Sequence, residues 1–271
     1  MVWKMNPEKN YPETQLLQPS NTIQSKLMKD SDNGSENSFM PEFRYVNGIR
    51  IFGFPDKTSL INYVQGKNEI LVAVNAEKIK NADQELKDVI NKNIGYPDGV
   101  GAVWALGQKG IKNVAKIPGV ELWLEFVEKH YLKKSFYFIG AREEIIQSTV
   151  DKLKEEFSGI NLAGYRNGYI KPHEMDGLIH DIQIKKPDYV FVAMGSPAQE
   201  RLMMRLSEIH PAIYIGLGGS FDIYSGKTKR APQFLIDLKL EWFYRLVTEP
   251  KRLKRQLKLV GFVKNMILKK Y

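Results

Sequence analysis

The feature that most constrains this chain is an alternation. Short apolar, β-prone runs are separated by stretches with helical periodicity. Ile70-Leu-Val-Ala-Val74, Phe136-Tyr-Phe-Ile-Gly140, Tyr189-Val-Phe-Val-Ala-Met194 and Ala212-Ile-Tyr-Ile-Gly216 carry no charge and read as buried strands. Helices are expected between and beside them, over residues 82–91, 100–107, 120–131, 142–157 and 199–210. Strands alternating with helices build βαβ units around a parallel sheet. Ahead of these units, Asn47-Gly48 sits between two β-prone runs, a strong signal for a tight hairpin. The expected fold class is α/β: a Rossmann-like, largely parallel sheet flanked by helices, with a basic helical C-terminal appendage.

The charge is segregated along the chain. The net charge is +9 over 271 residues. Residues 226–271 hold 13 Lys/Arg against 3 Asp/Glu, whereas the other 225 residues hold 27 against 28. A neutral body with a basic tail points to an anionic partner: lipid headgroups, nucleic acid or a phosphorylated substrate. Three regions follow. Residues 1–40, with the polar stretch KDSDNGSENS, read as a disordered or loosely ordered leader. Residues 41–225 read as the α/β catalytic core. Residues 226–271 read as a basic amphipathic appendage. Within it a helix is expected over 232–247 and, after Pro250, a second one from Lys251 toward Tyr271. On that second helix Leu253, Leu257, Val260 and Ile267 share a face, and Lys251, Arg252, Lys254, Arg255 and Lys258 crowd the first turns. This is the profile of a helix lying on an anionic membrane.

Several chemistries are excluded by residue type. With no cysteine there is no disulfide, thiolate metal site or cysteine nucleophile, and a reducing compartment fits. The opening MVWKMNPEKN lacks the apolar core of a secretory signal, and no run approaches the roughly 18 apolar residues of a membrane-spanning helix. Cytoplasmic residence is expected. His130, His173, His180 and His210 are scattered, and no HExxH, DxD, EF-hand or P-loop pattern occurs, so no metal and no cofactor are expected.

Ligands of open α/β sheets bind beyond the carboxyl ends of strands. Those ends carry Asn75-Ala-Glu-Lys78, Gly195-Ser-Pro-Ala-Gln199-Glu200 and Gly216-Leu-Gly-Gly219-Ser-Phe-Asp222; a further polar turn, Tyr96-Pro-Asp98-Gly-Val-Gly101, opens a helix. Glycines there allow close backbone approach, and helix N-terminal amides suit phosphate. Each signal has a plainer alternative: Asp98 as a turn and cap residue, Gln199-Glu200 as the start of a helix. The glycines at 216, 218 and 219 do not form the dinucleotide fingerprint, because Phe221 occupies the third glycine position.

Taken in order, Asn75-Ala-Glu-Lys, Pro97-Asp-Gly-Val-Gly, Lys116-Ile-Pro-Gly-Val-Glu-Leu122, Val192 through Glu200, Gly216 through Asp222, Lys229-Arg-Ala-Pro232, Leu240 through Leu246 and Glu249-Pro-Lys-Arg252 resemble the WecG/TagA/CpsF family, glycosyltransferase family 26. The resemblance runs over residues 43–259. It is closest to the WecG-type N-acetylmannosaminuronic acid transferases through Asn75-Ala-Glu-Lys78, residues 192–199 and Lys254-Arg-Gln-Leu-Lys258.

The resemblance implies an inverting, metal-independent enzyme at the cytoplasmic membrane face. It would move an N-acetylmannosamine-type sugar, or in some relatives glucose, from UDP to undecaprenyl-diphosphate-linked GlcNAc. It implies Asp98 as catalytic base and Asn75, Gln199, Gly218, Gly219 and Asp222 at the substrates. Lys116 stands where the family has Arg, keeping the charge for the diphosphate but losing the bidentate fork. Glu121 replaces a common Asp, and Ala73 a Thr found in some relatives. Without a metal, cationic side chains must meet the leaving group; Arg230, Arg245, Arg252 and Arg255 are the candidates, folding over the site when the tail meets lipid. Trp242, Phe243 and Leu246 are expected to seat the tail by packing. Self-association is implied as well, though no interface is legible. Competing readings are a nucleic-acid-binding protein using the basic tail, a nicotinamide-dependent oxidoreductase, and a catalytically silent scaffold.

Overall fold

The computed structural model describes residues 39–229, 231–232, 234–235, 238, 244, 261–268 and 270–271, all within one unit, Phe39–Tyr271. It opens with the hairpin β1 (Phe43–Val46) and β2 (Ile49–Phe52), paired antiparallel with Val46 opposite Ile49. Asn47 and Gly48 both have positive φ, 51° and 77°. That is what a two-residue turn matching the strand twist requires.

Six strands then form one parallel sheet. They are β3 (Ile70–Val74), β4 (Ile94–Pro97), β5 (Ser135–Gly140), β6 (Asn161–Arg166), β7 (Tyr189–Ala193) and β8 (Ile213–Gly216), in the order β4-β3-β8-β7-β5-β6. All five pairings are parallel, as expected.

Side chains alternate across the sheet with a period of two. One face holds Phe136, Phe138, Tyr189 and Phe191, and is covered by α1 (Lys57–Val64), α5 (Gly119–His130), α6 (Glu143–Glu156) and α9 (Ser220–Tyr224). Trp123 is its centre, edge-on to Phe138, Phe191, Phe221 and Tyr224 with ring centroids 5.1–6.3 Å away. The other face is mainly aliphatic. It holds Val72, Val74, Val190 and Val192 under α2 (Ala76–Asn81), α3 (Gln84–Lys92), α4 (Val100–Gln108), α7 (Met175–Lys185) and α8 (Ala198–Ser207).

The structure redraws several expected elements. The helix expected over 82–91 is the second of two. Asn75 caps α2, Ala82 turns extended, and Asp83 caps α3 by accepting from the Leu86 amide at 2.9 Å. Two short capped helices replace one long one because each cap supplies an acceptor for otherwise orphaned amides. Tyr96 and Pro97, expected at the start of the polar turn Tyr96–Gly101, instead end the edge strand β4 (Ile94–Pro97), whose proline is tolerated at its end.

Residues 261–267 are helical, but their buried face is Phe262 and Met266. Ile267, placed on the apolar face in the sequence reading, is 66% exposed. The Phe262 ring fits because position 101 is glycine: a Cβ there would lie 3.1 Å from the ring and 2.9 Å from the Ala76 Cβ. The rest of the expected second helix, including Leu253, Leu257 and Val260, and most of the helix expected over 232–247 lie outside the described residues.

Candidate active site

The sheet brings the predicted site residues to its carboxyl edge. β4, β3, β8 and β7 are consecutive neighbours, and their ends carry Asp98, Asn75, Gly216–Asp222 and Gly195–Gln199 in turn. β3 and β7 exit into helices of the aliphatic face, α2 and α8, while β8 between them exits into α9 on the aromatic face. Chains leaving adjacent strand ends in opposite directions open a crevice there.

At β4, the Asp98 amide donates to the Val74 carbonyl at 2.9 Å, which carries the β3–β4 pairing one residue past Pro97. Gly99 (φ 128°) then turns the chain into α4. Asp98 is half-buried. Lys116 enters from a separate loop: the Ile117 amide donates to the Pro97 carbonyl at 2.9 Å, so this segment runs beside the Asp98 turn. At β3, the Asn75 Oδ1 caps α2 by accepting from the Lys78 amide at 3.0 Å. This fixes its side chain at the mouth of the crevice.

The β7 and β8 loops are tied by one residue. Gly195 (φ 80°) precedes a cis Ser196–Pro197 bond, and Gly218 (φ 58°) precedes the short α9. The Gln199 Oε1 accepts from both the Gly195 amide (3.2 Å) and the Gly218 amide (2.9 Å). At 3% exposure, the Gln199 side chain is enclosed beneath these two loops. Gly216 makes the arrangement sterically feasible, since a Cβ there would lie 2.6 Å from the Gln199 Nε2. Asp222 sits in the first turn of α9, its Oδ2 about one van der Waals contact (4.0 Å) from where a Gly219 Cβ would be.

Beneath the crevice lie residues to which the sequence reading gave no role. Tyr96 is fully buried, and its hydroxyl has no hydrogen-bond partner among the described residues. Burial, with the negative charges of Asp98 and Glu200, pushes this phenol well above its usual range, so it stays neutral. Glu200 is buried and paired with Lys78 at 2.8 Å. On the far side of β7, Gly140 (φ 144°) abuts β7 so closely that a Cβ would lie 2.3 Å from the Ala193 carbonyl oxygen. Ala141 follows with φ 53°, its amide donating to that same carbonyl at 2.9 Å. A glycine at the end of an apolar run was the available signal for this turn. Tyr96, Lys78 and Glu200 each lie in one of the polar strand-end motifs, but nothing local in the sequence pairs Lys78 with Glu200 or buries Tyr96.

Of the other predicted residues, Glu121 and Ala73 are both half-buried. Glu121 forms an ion pair with Lys57 at 3.2 Å on the outer side of α5. Arg230, Arg245, Arg252 and Arg255, with Trp242, Phe243 and Leu246, lie outside the described residues. No helix among the described residues is long and apolar enough to cross a membrane.

A polar, glycine-rich crevice of this kind suits a phosphorylated ligand, and comparison with known families gives it a context. The sequence profile described as Glycosyl transferase WecG/TagA/CpsF family matches residues 48–271, which include all six strands of the sheet and every residue of the crevice. The chain therefore belongs to the WecG/TagA/CpsF family of glycosyltransferases.

Proposed function

We propose that this transferase moves an N-acetylmannosamine-type sugar, the uronic acid or its parent, from UDP onto an undecaprenyl-diphosphate-linked GlcNAc, with inversion. The observation that carries this reading is the convergence of Asp98, Asn75, Gly218, Gly219 and Asp222 on the carboxyl ends of three adjacent strands, β4, β3 and β8. Asp98 takes the proton of the acceptor hydroxyl as its oxygen attacks the anomeric carbon; the bond from that carbon to the diphosphate breaks, and UDP departs. A base of this kind contributes about 10²–10⁴-fold. Lys116, beside the Asp98 turn, and the Gly219 amide meet the diphosphate, and Gly218 lets the backbone come close to it. Arg230, Arg245, Arg252 and Arg255 add charge from the tail. Asn75 and Asp222 orient the sugars.

We further propose that the acceptor is presented at a membrane surface. Directly after Asp98-Gly99, α4 leaves Val100 and Trp104 exposed one helical turn apart. The docked segment that packs on Gly101 leaves Val263, Ile267 and Leu268 exposed as well. Apolar side chains on these adjoining elements, with a basic tail, suit an anionic lipid surface close to the base.

The test is transfer to a short-chain lipid-diphosphate-GlcNAc with a panel of UDP-sugars, read by mass spectrometry. Product from an N-acetylmannosamine-type donor is expected. Product only from glucose or another hexose would reassign the donor, and no product together with no UDP binding would remove the reading. Replacing Val100, Trp104, Val263 and Ile267 by Ser should lower co-flotation with anionic vesicles while leaving transfer to the short-chain acceptor in place. Unchanged flotation would contradict the membrane proposal.

A further inference from the structure

Below the crevice lies a chain of buried polar contacts that joins residues 122 positions apart in sequence. The Lys78 Nζ on α2 donates to the Glu200 Oε1 at 2.8 Å and to the Ala73 carbonyl of β3 at 2.8 Å. Glu200 on α8 has a side chain only 1% exposed, and that of Lys78 is 11% exposed. The same Oε1 accepts from the Gln199 Nε2 at 3.1 Å. The other end of the Gln199 amide accepts from Gly195 and Gly218.

A glutamine amide has nearly the same shape in its two flipped orientations, but only one presents an acceptor to two backbone N–H groups. Glu200, as a carboxylate, accepts only, so it selects the orientation that turns the amide NH₂ inward and the carbonyl toward the loops. Lys78 holds the carboxylate in place. Stability does not explain the pair, because a buried ion pair is often no better for folding than apolar residues of similar volume.

We propose that Lys78 and Glu200 are positioning residues. Through the Gln199 amide they set the relative placement of the Gly195 and Gly218 loops, which line the crevice from β7 and β8. The effect on turnover rests on the reading of this edge as the sugar-transfer site; the effect on the loops does not.

The test uses the full chain with the double substitution Lys78→Met and Glu200→Leu, which removes both buried charges at once. A Tm within about 5 °C of wild type is expected. Amide hydrogen exchange at Gly195 and Gly218 should quicken by about tenfold or more. Transfer should fall by about a hundredfold, mostly in kcat, as for a misplaced reacting geometry. Glu200→Gln keeps an acceptor for both Lys78 and Gln199, and should hold exchange and turnover within about threefold of wild type.

If the double variant does not fold, Glu200→Met carries the same comparison, since Lys78 retains its bond to the Ala73 carbonyl. Wild-type exchange at both glycines in the charge-free variant would overturn the proposal. So would quickened exchange with unchanged turnover. If the wild-type protein transfers no sugar, the proposed reaction fails while the exchange measurement still decides the brace.

Discussion

The two ends of the sheet treat their carboxylates differently: Asp188 at the amino end has both oxygens bonded, and Glu200 at the carboxyl end has one left over among the described residues. At the amino end, Asp188, His210 and Tyr214 are satisfied within the protein, although the buried His130 Nε2 beside Tyr189 has no partner among the described residues. Asp188, just before β7, accepts from the Ser135 amide and hydroxyl, both at 2.8 Å, and from Lys134 at 2.9 Å, joining β5 to β7. The His210 ring lies 2.8 Å from the Pro187 carbonyl, and the Tyr214 hydroxyl donates to the His210 carbonyl at 2.8 Å. At the carboxyl end, the Tyr96 hydroxyl and the Glu200 Oε2 are buried without a hydrogen-bond partner among the described residues. Unsatisfied buried polar atoms reduce stability, and such atoms recur at functional sites. The amino end ties β5 to β7 through Asp188, and the carboxyl end is where the proposed ligand site lies.

That contrast is open to direct test. The largest effect apart from loss of the base should come from Gly216→Ala. Its Cβ would displace the Gln199 amide, so transfer should drop by about a hundredfold, the cost of roughly an ångström of misplacement. The melting temperature should fall only modestly. Turnover near the wild-type level would mean that the Gln199 tie is dispensable.

At the opposite end, Asp188→Ala should do the reverse. It removes an acceptor from three donors, one of them on a half-exposed lysine, and should lower stability by about 1–2 kcal/mol. Denaturant unfolding would show this, with kcat unchanged. A loss of kcat without a loss of stability would break the division between the two ends.

The smallest effect is a pH dependence. Burial alone would raise the Asp188 pKa, but the Ser135 amide and hydroxyl and the Lys134 ammonium outweigh it and hold the carboxyl below its usual value. A carboxyl depressed in the folded state stabilises fully above its unfolded pKa of about 4, and loses that contribution as pH falls through the folded value. The Tm difference between wild type and Asp188→Ala should therefore be constant near neutrality and shrink below about pH 4. A gap that widens on acidification would contradict the assignment.

The same contrast explains what could be read in the sequence. Strands β3, β5, β7 and β8 were legible because they are buried on both faces and leave uninterrupted apolar runs. The hairpin was legible because Asn47-Gly48 is the turn chemistry itself. β6 was not: it is an edge strand, Asn161–Arg166, with no fully buried residue and hence no apolar signature. α7 hides for a related reason, burying only Leu178 and Ile182 along its length. At the site, the loops were visible because glycines and short polar side chains cluster after strands. Their supports were not. Tyr96 reads as part of a polar turn, and Lys78, after β3, and Glu200, after β7, meet only because α2 and α8 pack on the same face of the sheet. Gln199 is expected at the substrate; the structure shows its amide oxygen bonded to both loops.

The central claim is that the carboxyl edge works through Asp98. Its most direct test is the single-turnover rate of sugar transfer by Asp98→Asn, measured beside UDP affinity and melting temperature. The account predicts a rate lower by about 10²–10⁴-fold, with UDP affinity and melting temperature close to wild type. A rate within about threefold of wild type would contradict it, because transfer would then proceed without the base that the edge is built around.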